Sequence, residues 1–98
     1  MPAVCRGDAV DADVPHCSEP RRDACSSDVF VNGTGISRQG DVNTSHKKPG
    51  APCPDHTAPI AVGSTTVFVN GQGCGRVGDA ISACTSVATG SPNVFAGG

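Results

Sequence analysis

The sequence predicts an all-β fold assembled from a repeated hairpin, and three observations predict it. The stretch from Gly63 to Asp79 (GSTTVFVNGQGCGRVGD) has already run once as SSDVFVNGTGISRQGD from Ser26 to Asp41, at a constant offset of 67 − 29 = 38 residues. The apolar set is twelve Val, three Ile, three Phe and one Met, with no Leu, Trp or Tyr. Such a Val-rich, Leu-free set belongs to strands. Thirteen Gly and eight Pro interrupt any helical period.

The elements follow in order. Cys5-Arg6-Gly7-Asp8 echoes an Arg-x-Gly-Asp corner, one residue short, and residues 9 to 25 form a first long connection. Val29-Phe30-Val31 has strand composition. Asn32-Gly33 is a hairpin turn signal, because both residues tolerate positive φ. The return strand ends at Arg38, and Gly40-Asp41 turns the chain out again. Residues 42 to 62 form the longest connection, punctuated by Pro49, Pro52, Pro54 and Pro59. The second copy follows: Val67-Phe68-Val69, Asn70-Gly71, Arg76 and Gly78-Asp79. A short apolar connection, 80 to 89, leads to Gly90-Ser91-Pro92-Asn93-Val94-Phe95, a partial third copy. Three Arg-Gly-Asp corners thus alternate with three Val-Phe strands. A single hairpin cannot bury its apolar face, so three must pack together. Residues 1–98 form one domain.

A net charge of −2 with scattered signs and no basic, aromatic-interleaved patch argues against nucleic acid as a partner. The opening MPAVCRGDAV has neither the basic nor the apolar region of a secretory signal, and no apolar run could span a bilayer. A cytoplasmic chain is expected. Six Cys there read better as metal ligands or small buried groups than as disulfides. Counting free thiols separates this from a disulfide-stapled secreted domain.

All three His lie in the two long connections: His16 in the first, His46 and His56 in the second. Cys53 precedes His56 in Cys53-Pro54-Asp55-His56, so both side chains can reach one ion. Three His and one Cys would close a tetrahedral Zn²⁺ site, which is structural rather than catalytic. Such a zinc contributes about 10–16 kcal/mol in small peptides, against about 1–2 kcal/mol to order each loop residue. Cys17, adjacent to His16, is an alternative sulfur ligand, and solvated loop His residues are the plain alternative. A zinc hydrolase with Asp55 or Glu19 as base would need only three protein ligands and a metal-bound water.

The doubled VFVNG-x(4)-R-x-GD, the opening M-P-A-V-C-R, the ending ATGSPNVFAGG and the His/Cys loops resemble the PAAR-repeat proteins over essentially the whole chain. Where that family has Pro-Ala-Ala-Arg, this chain has Gly35-Ile36-Ser37-Arg38 and Gly73-Cys74-Gly75-Arg76, keeping only the Arg. The resemblance implies a small pointed cone with pseudo-threefold symmetry and no enzymatic activity. Its base would cap a trimeric β-helical spike of the VgrG or phage-tail kind, one copy per trimer. Its apex would carry one structural zinc on His16, His46, Cys53 and His56. The implied role is mechanical: the cap sharpens the spike and helps it breach a membrane when a contractile sheath fires. Effector proteins are further possible partners. The chain would be a cytoplasmic monomer until assembled and then be ejected, as part of a type VI secretion system or a virion tail. Cys5 and Cys74 are expected as buried thiols, with a Cys17–Cys25 disulfide as the alternative for that pair; Cys84 has no assigned role.

Overall fold

A computed structural model describes residues 1–15, 20–47, 55–82 and 84–97. The all-β expectation holds: the regular elements are short strands, and no helix occurs among the described residues. Three two-stranded antiparallel ladders form: β1 (Phe30–Val31) with β2 (Thr34–Gly35), β3 (His46–Lys47) with β4 (Asp55–His56), and β5 (Phe68–Val69) with β6 (Gln72–Gly73). The Val-Phe hairpins close as predicted. Asn32 and Asn70 stand at φ 53°, and Gly33 and Gly71 at φ 79°. Two successive positive φ angles make the two-residue turn whose twist matches the flanking strands. The body measures 38 × 23 × 21 Å, so its two shorter axes are nearly equal.

The chain ends complete a third pairing. Ala3 bridges Phe95, Val4 N donates to Val94 O, and Ala96 N donates to Pro2 O. Residues 3–6 therefore occupy the place that Gly35–Arg38 and Gly73–Arg76 hold in the two hairpins. The three return segments bond to one another in a closed ring. Cys5 N donates to Gly75 O, Gly75 N to Ser37 O, and Ser37 N to Cys5 O, at 2.9–3.1 Å. One apolar cluster lies between the strands, made of Val4, Ile36 and Cys74 from the returns with Val31, Val69 and Ala96 from the outgoing strands. A second, of Cys5, Ala58, Ile60, Ile81 and Val87, lies under the connections. Cys5 and Cys74 are buried free thiols, as expected, but they are offset by one position: Cys5 is in the ring and Cys74 in the first cluster. Burial pushes both thiols up, Cys74 to about 11. Cys25 is also a free thiol, and Cys17 lies outside the described residues.

Each outgoing strand opens on a serine. Ser26, Ser64 and Ser91 each accept, on Oγ, from the backbone N–H groups two and three residues on, at 2.9–3.2 Å. Each return ends on an arginine clamped by an aspartate. Arg38 gives its backbone N–H and Nε–H to Asp41 Oδ2 and its Nη2–H to Asp41 Oδ1. Arg76 does the same with Asp79. Gly40 (φ 89°) and Gly78 (φ 91°) let the chain turn between the partners.

The first corner departs from the sequence expectation. Arg6 clamps Asp11, not Asp8, with the same three bonds. Asp8 and Ala9, at φ 51° and 61°, lie in the longer loop between them. Burial pushes the Asp11 carboxyl up, but hydrogen bonds from Arg6 and Thr89 outweigh it and hold the group below the usual carboxylate range. A lowered folded-state pKa stabilises the fold above the unfolded value near 3.9 and ceases to do so as pH falls through the folded value. Urea titrations between about pH 3 and 7 are expected to show an acid limb that Asp11→Asn flattens. An unchanged limb would remove Asp11 from its cause.

Candidate functional site

Two regions carry the residues of interest, one formed by the hairpins and the other by the connections. On the hairpins, strand alternation turns the residue before each buried Val or Ala outward. Phe30, Phe68 and Phe95 are 58%, 60% and 50% exposed, while Val31, Val69 and Ala96 are buried. All three Phe in the chain are thus in solvent, one per pairing. Water contact with an aromatic ring is unfavourable, and three repetitions of it at matching positions suggest a surface made to be covered.

Polar bonds tie the exposed corners together. Asn70 Oδ1 accepts from Ser26 Oγ (2.7 Å) and Arg38 Nη1 (2.9 Å). Asn32 Oδ1 accepts from Ser91 Oγ (2.6 Å) and Arg6 Nη1 (3.4 Å). At the third junction Gly97 stands where the hairpins have Asn, and its backbone carbonyl takes the amide's place, accepting from Ser64 Oγ (2.5 Å) and Arg76 Nη1 (3.0 Å). Each hairpin is therefore locked to a neighbour by the same serine–arginine pair.

Of the four metal-ligand candidates, His16 and Cys53 lie outside the described residues. The β3–β4 ladder brings His46 and His56 directly opposite each other. His56 Nε2 lies 3.4 Å from Cys84 Sγ. Among the described residues no three of His, Cys, Asp and Glu form a metal-ligating group. The His56–Cys84 pair nevertheless fits a shared ion. Zn–S and Zn–N bonds of about 2.3 and 2.0–2.1 Å at a tetrahedral angle put sulfur and nitrogen about 3.6 Å apart.

Cys84 is the candidate residue that sequence reasoning missed, and a signal for it was present. The repeat offset maps His46 onto 46 + 38 = 84. Counted from the corner aspartates, 11 + 5 = 16, 41 + 5 = 46 and 79 + 5 = 84, so His16, His46 and Cys84 hold one position in three successive connections. Placing His16 at that same position required Asp11 as the first corner, which the structure supplies.

Between the apolar clusters and this pair lies a buried polar group. Arg22, Asp13 and Asn43 are each at most 1% exposed. Arg22 Nε lies 3.6 Å from Asp13 Oδ1, and Arg22 Nη2 donates to Asp41 O at 3.1 Å. Asn43 Nδ2 donates to Asp13 Oδ2 at 3.0 Å and reaches Cys84 Sγ at 4.0 Å. Burial pushes the Cys84 thiol up, partly offset by the N–H groups of Asn43 and Thr85.

No protein-family model and no curated protein matches this chain.

Proposed function

We propose that this chain is the sharpening cap of a trimeric β-helical spike in a contractile injection machine, of the PAAR-repeat kind. The observation that carries the reading is the repetition of one exposed residue, Phe30, Phe68 and Phe95, above a closed ring of three backbone bonds. A homotrimeric β-helix ends in three equivalent strand edges, which must be covered to avoid edge-to-edge pairing. A chain that presents one pairing to each edge matches that symmetry as a monomer, one copy per trimer. The unequal connections break the symmetry only away from this face, where they converge to the point of a cone. The role is mechanical and needs no turnover. The chain is made in the cytoplasm, assembled on a spike of the VgrG or phage-tail kind, and ejected with it into or through a target membrane. Effector proteins are further candidate partners.

One structural zinc knits the connections at the point. His16, His46 and His56 supply nitrogen. Sulfur comes from Cys84 or Cys53, and the 3.4 Å approach of Cys84 to His56 favours Cys84. The ion would contribute cohesion among loops that have few apolar side chains to bury.

Co-expression with a trimeric β-helical spike protein tests the cap reading. A complex of one copy per three spike chains is expected. Phe68→Asp is expected to weaken it at least about 30-fold, because a buried aromatic anchor commonly contributes about 2 kcal/mol or more. Phe68 is exposed in the free chain, so the free chain's unfolding midpoint should barely change. Equimolar binding, or full binding by the variant, would contradict the assignment.

A further inference from the structure

We propose that Asn43 is a positioning residue that sets the register of the histidine-bearing ladder and, through it, the geometry of the metal site. The inference rests on the zinc reading above, but its first half concerns the metal-free chain. Val42 pairs with Pro59, so the paired numbers sum to 101; His46 pairs with His56, and the sum becomes 102. Three residues, Asn43-Thr44-Ser45, therefore run against two, Thr57-Ala58. That count is a β-bulge, a device that re-aims the residues beyond it. Had the first register continued, 45 + 56 = 101 would place Ser45 opposite His56, and 46 + 55 = 101 would place His46 opposite Asp55.

Asn43 is where the register changes. Its backbone N–H donates to Ala58 O at 3.1 Å in the ordinary way. The return bond does not go to the backbone: Ala58 N–H donates to the side-chain Oδ1 of Asn43 at 2.9 Å. The amide oxygen thus replaces the backbone carbonyl as acceptor and frees the main chain to carry the extra residue. The other end of the amide is held from two sides, by Asp13 Oδ2 at 3.0 Å and by the approach to Cys84 Sγ at 4.0 Å. One buried side chain therefore links the first connection, both arms of the second, and Cys84 in the third. A short apolar residue there could fill the space but could neither accept from Ala58 nor donate to Asp13. Retention of a polar group in a dry position is explained by the register it imposes.

The experiment uses the full chain. In metal-free protein, cross-strand backbone nuclear Overhauser contacts (amide–amide or Hα–Hα) pairing His46 with His56 are expected for the wild type and absent in Asn43→Ala. Titration with Co²⁺ then reads the site, since thiolate-to-cobalt absorption reports a sulfur ligand and its geometry. Asn43→Ala is expected to bind Co²⁺ about 10–100-fold more weakly, the usual effect of losing an outer-shell partner. The double variant Asp13→Asn with Asn43→Asp keeps an acceptor for Ala58 and a bond between positions 13 and 43. It is expected to restore the His46–His56 contact and most of the affinity, and it carries the test if Asn43→Ala does not fold. A His46–His56 contact that survives in Asn43→Ala, or a double variant that folds without it, overturns the register role. Loss of the contact with unchanged Co²⁺ binding overturns the positioning role. A wild-type chain that gives no thiolate–cobalt band overturns the metal reading, while the nuclear Overhauser result still decides the register.

Discussion

Arg22→Ala is expected to destabilise the fold by about 3–5 kcal/mol, the typical result of removing one partner of a buried ion pair. Domains of this size have about 5–15 kcal/mol in total, so the variant should be marginal at room temperature. The site explains the size of the effect. Arg22 is wholly enclosed, and its guanidinium spans Asp13 on one side and the Asp41 carbonyl on the other. Its backbone accepts from Ala9 N and donates to Asp11 O, so the same residue holds the first corner to the second. Without the guanidinium, the Asp13 carboxylate loses the countercharge beside it in a dry interior. The double replacement Arg22→Met with Asp13→Leu removes both charges and should recover most of the loss, because apolar substitutes for a buried pair are often neutral or better. Urea unfolding of the three variants decides the matter. A single Arg22→Ala loss below about 1 kcal/mol would mean that water reaches the pair and that its burial is of little consequence.

The hairpins were legible because their chemistry is local. Asn-Gly turns need only their own two residues, and the 38-residue offset exposes the repetition directly. The burial of Val31 and Val69 under outward Phe30 and Phe68 follows from strand alternation once the turn is placed. What was illegible depends on partners distant in sequence. Arg6 looked as if it belonged with Asp8, since Arg-x-Gly-Asp is the local pattern, but the longer first loop hands its guanidinium to Asp11. The third pairing joins Ala3 to Phe95, and only its partial copies at the two ends hinted at it. Arg22, Asp13 and Asn43 sit in Pro- and Asp-rich connections with no period, where polar residues ordinarily read as solvated. Of the four predicted metal ligands, the backbone pairs His46 with His56, His16 and Cys53 lie outside the described residues, and the sulfur beside His56 belongs to Cys84.

That sulfur yields the second large effect. If Cys84 is a zinc ligand, the purified wild-type chain holds one zinc and Cys84→Ala binds it at least about 100-fold more weakly, beyond the roughly tenfold minimum for an outer-shell loss. By mass action a 100-fold loss of affinity removes about 2.7 kcal/mol of stabilisation. For a domain near 100 residues each kcal/mol moves the midpoint by about 4–8 °C, so Tm should fall by about 10–20 °C. The side chain itself is small and only half-buried, so its packing explains little of a fall that large. A chelator separates the two causes: it should lower the wild-type Tm to near that of Cys84→Ala and leave the variant almost unmoved. Cys53→Ala serves as the matched comparison, one sulfur removed from the other connection. Zinc retained in Cys53→Ala and lost in Cys84→Ala assigns the ligand to the short third connection. The three loops would then meet at one ion through equivalent positions, His16, His46 and Cys84, with His56 completing the tetrahedron. The reverse pattern would return the sulfur to Cys53, and the 3.4 Å contact between Cys84 and His56 would then be a hydrogen bond beside the metal rather than an edge of its coordination.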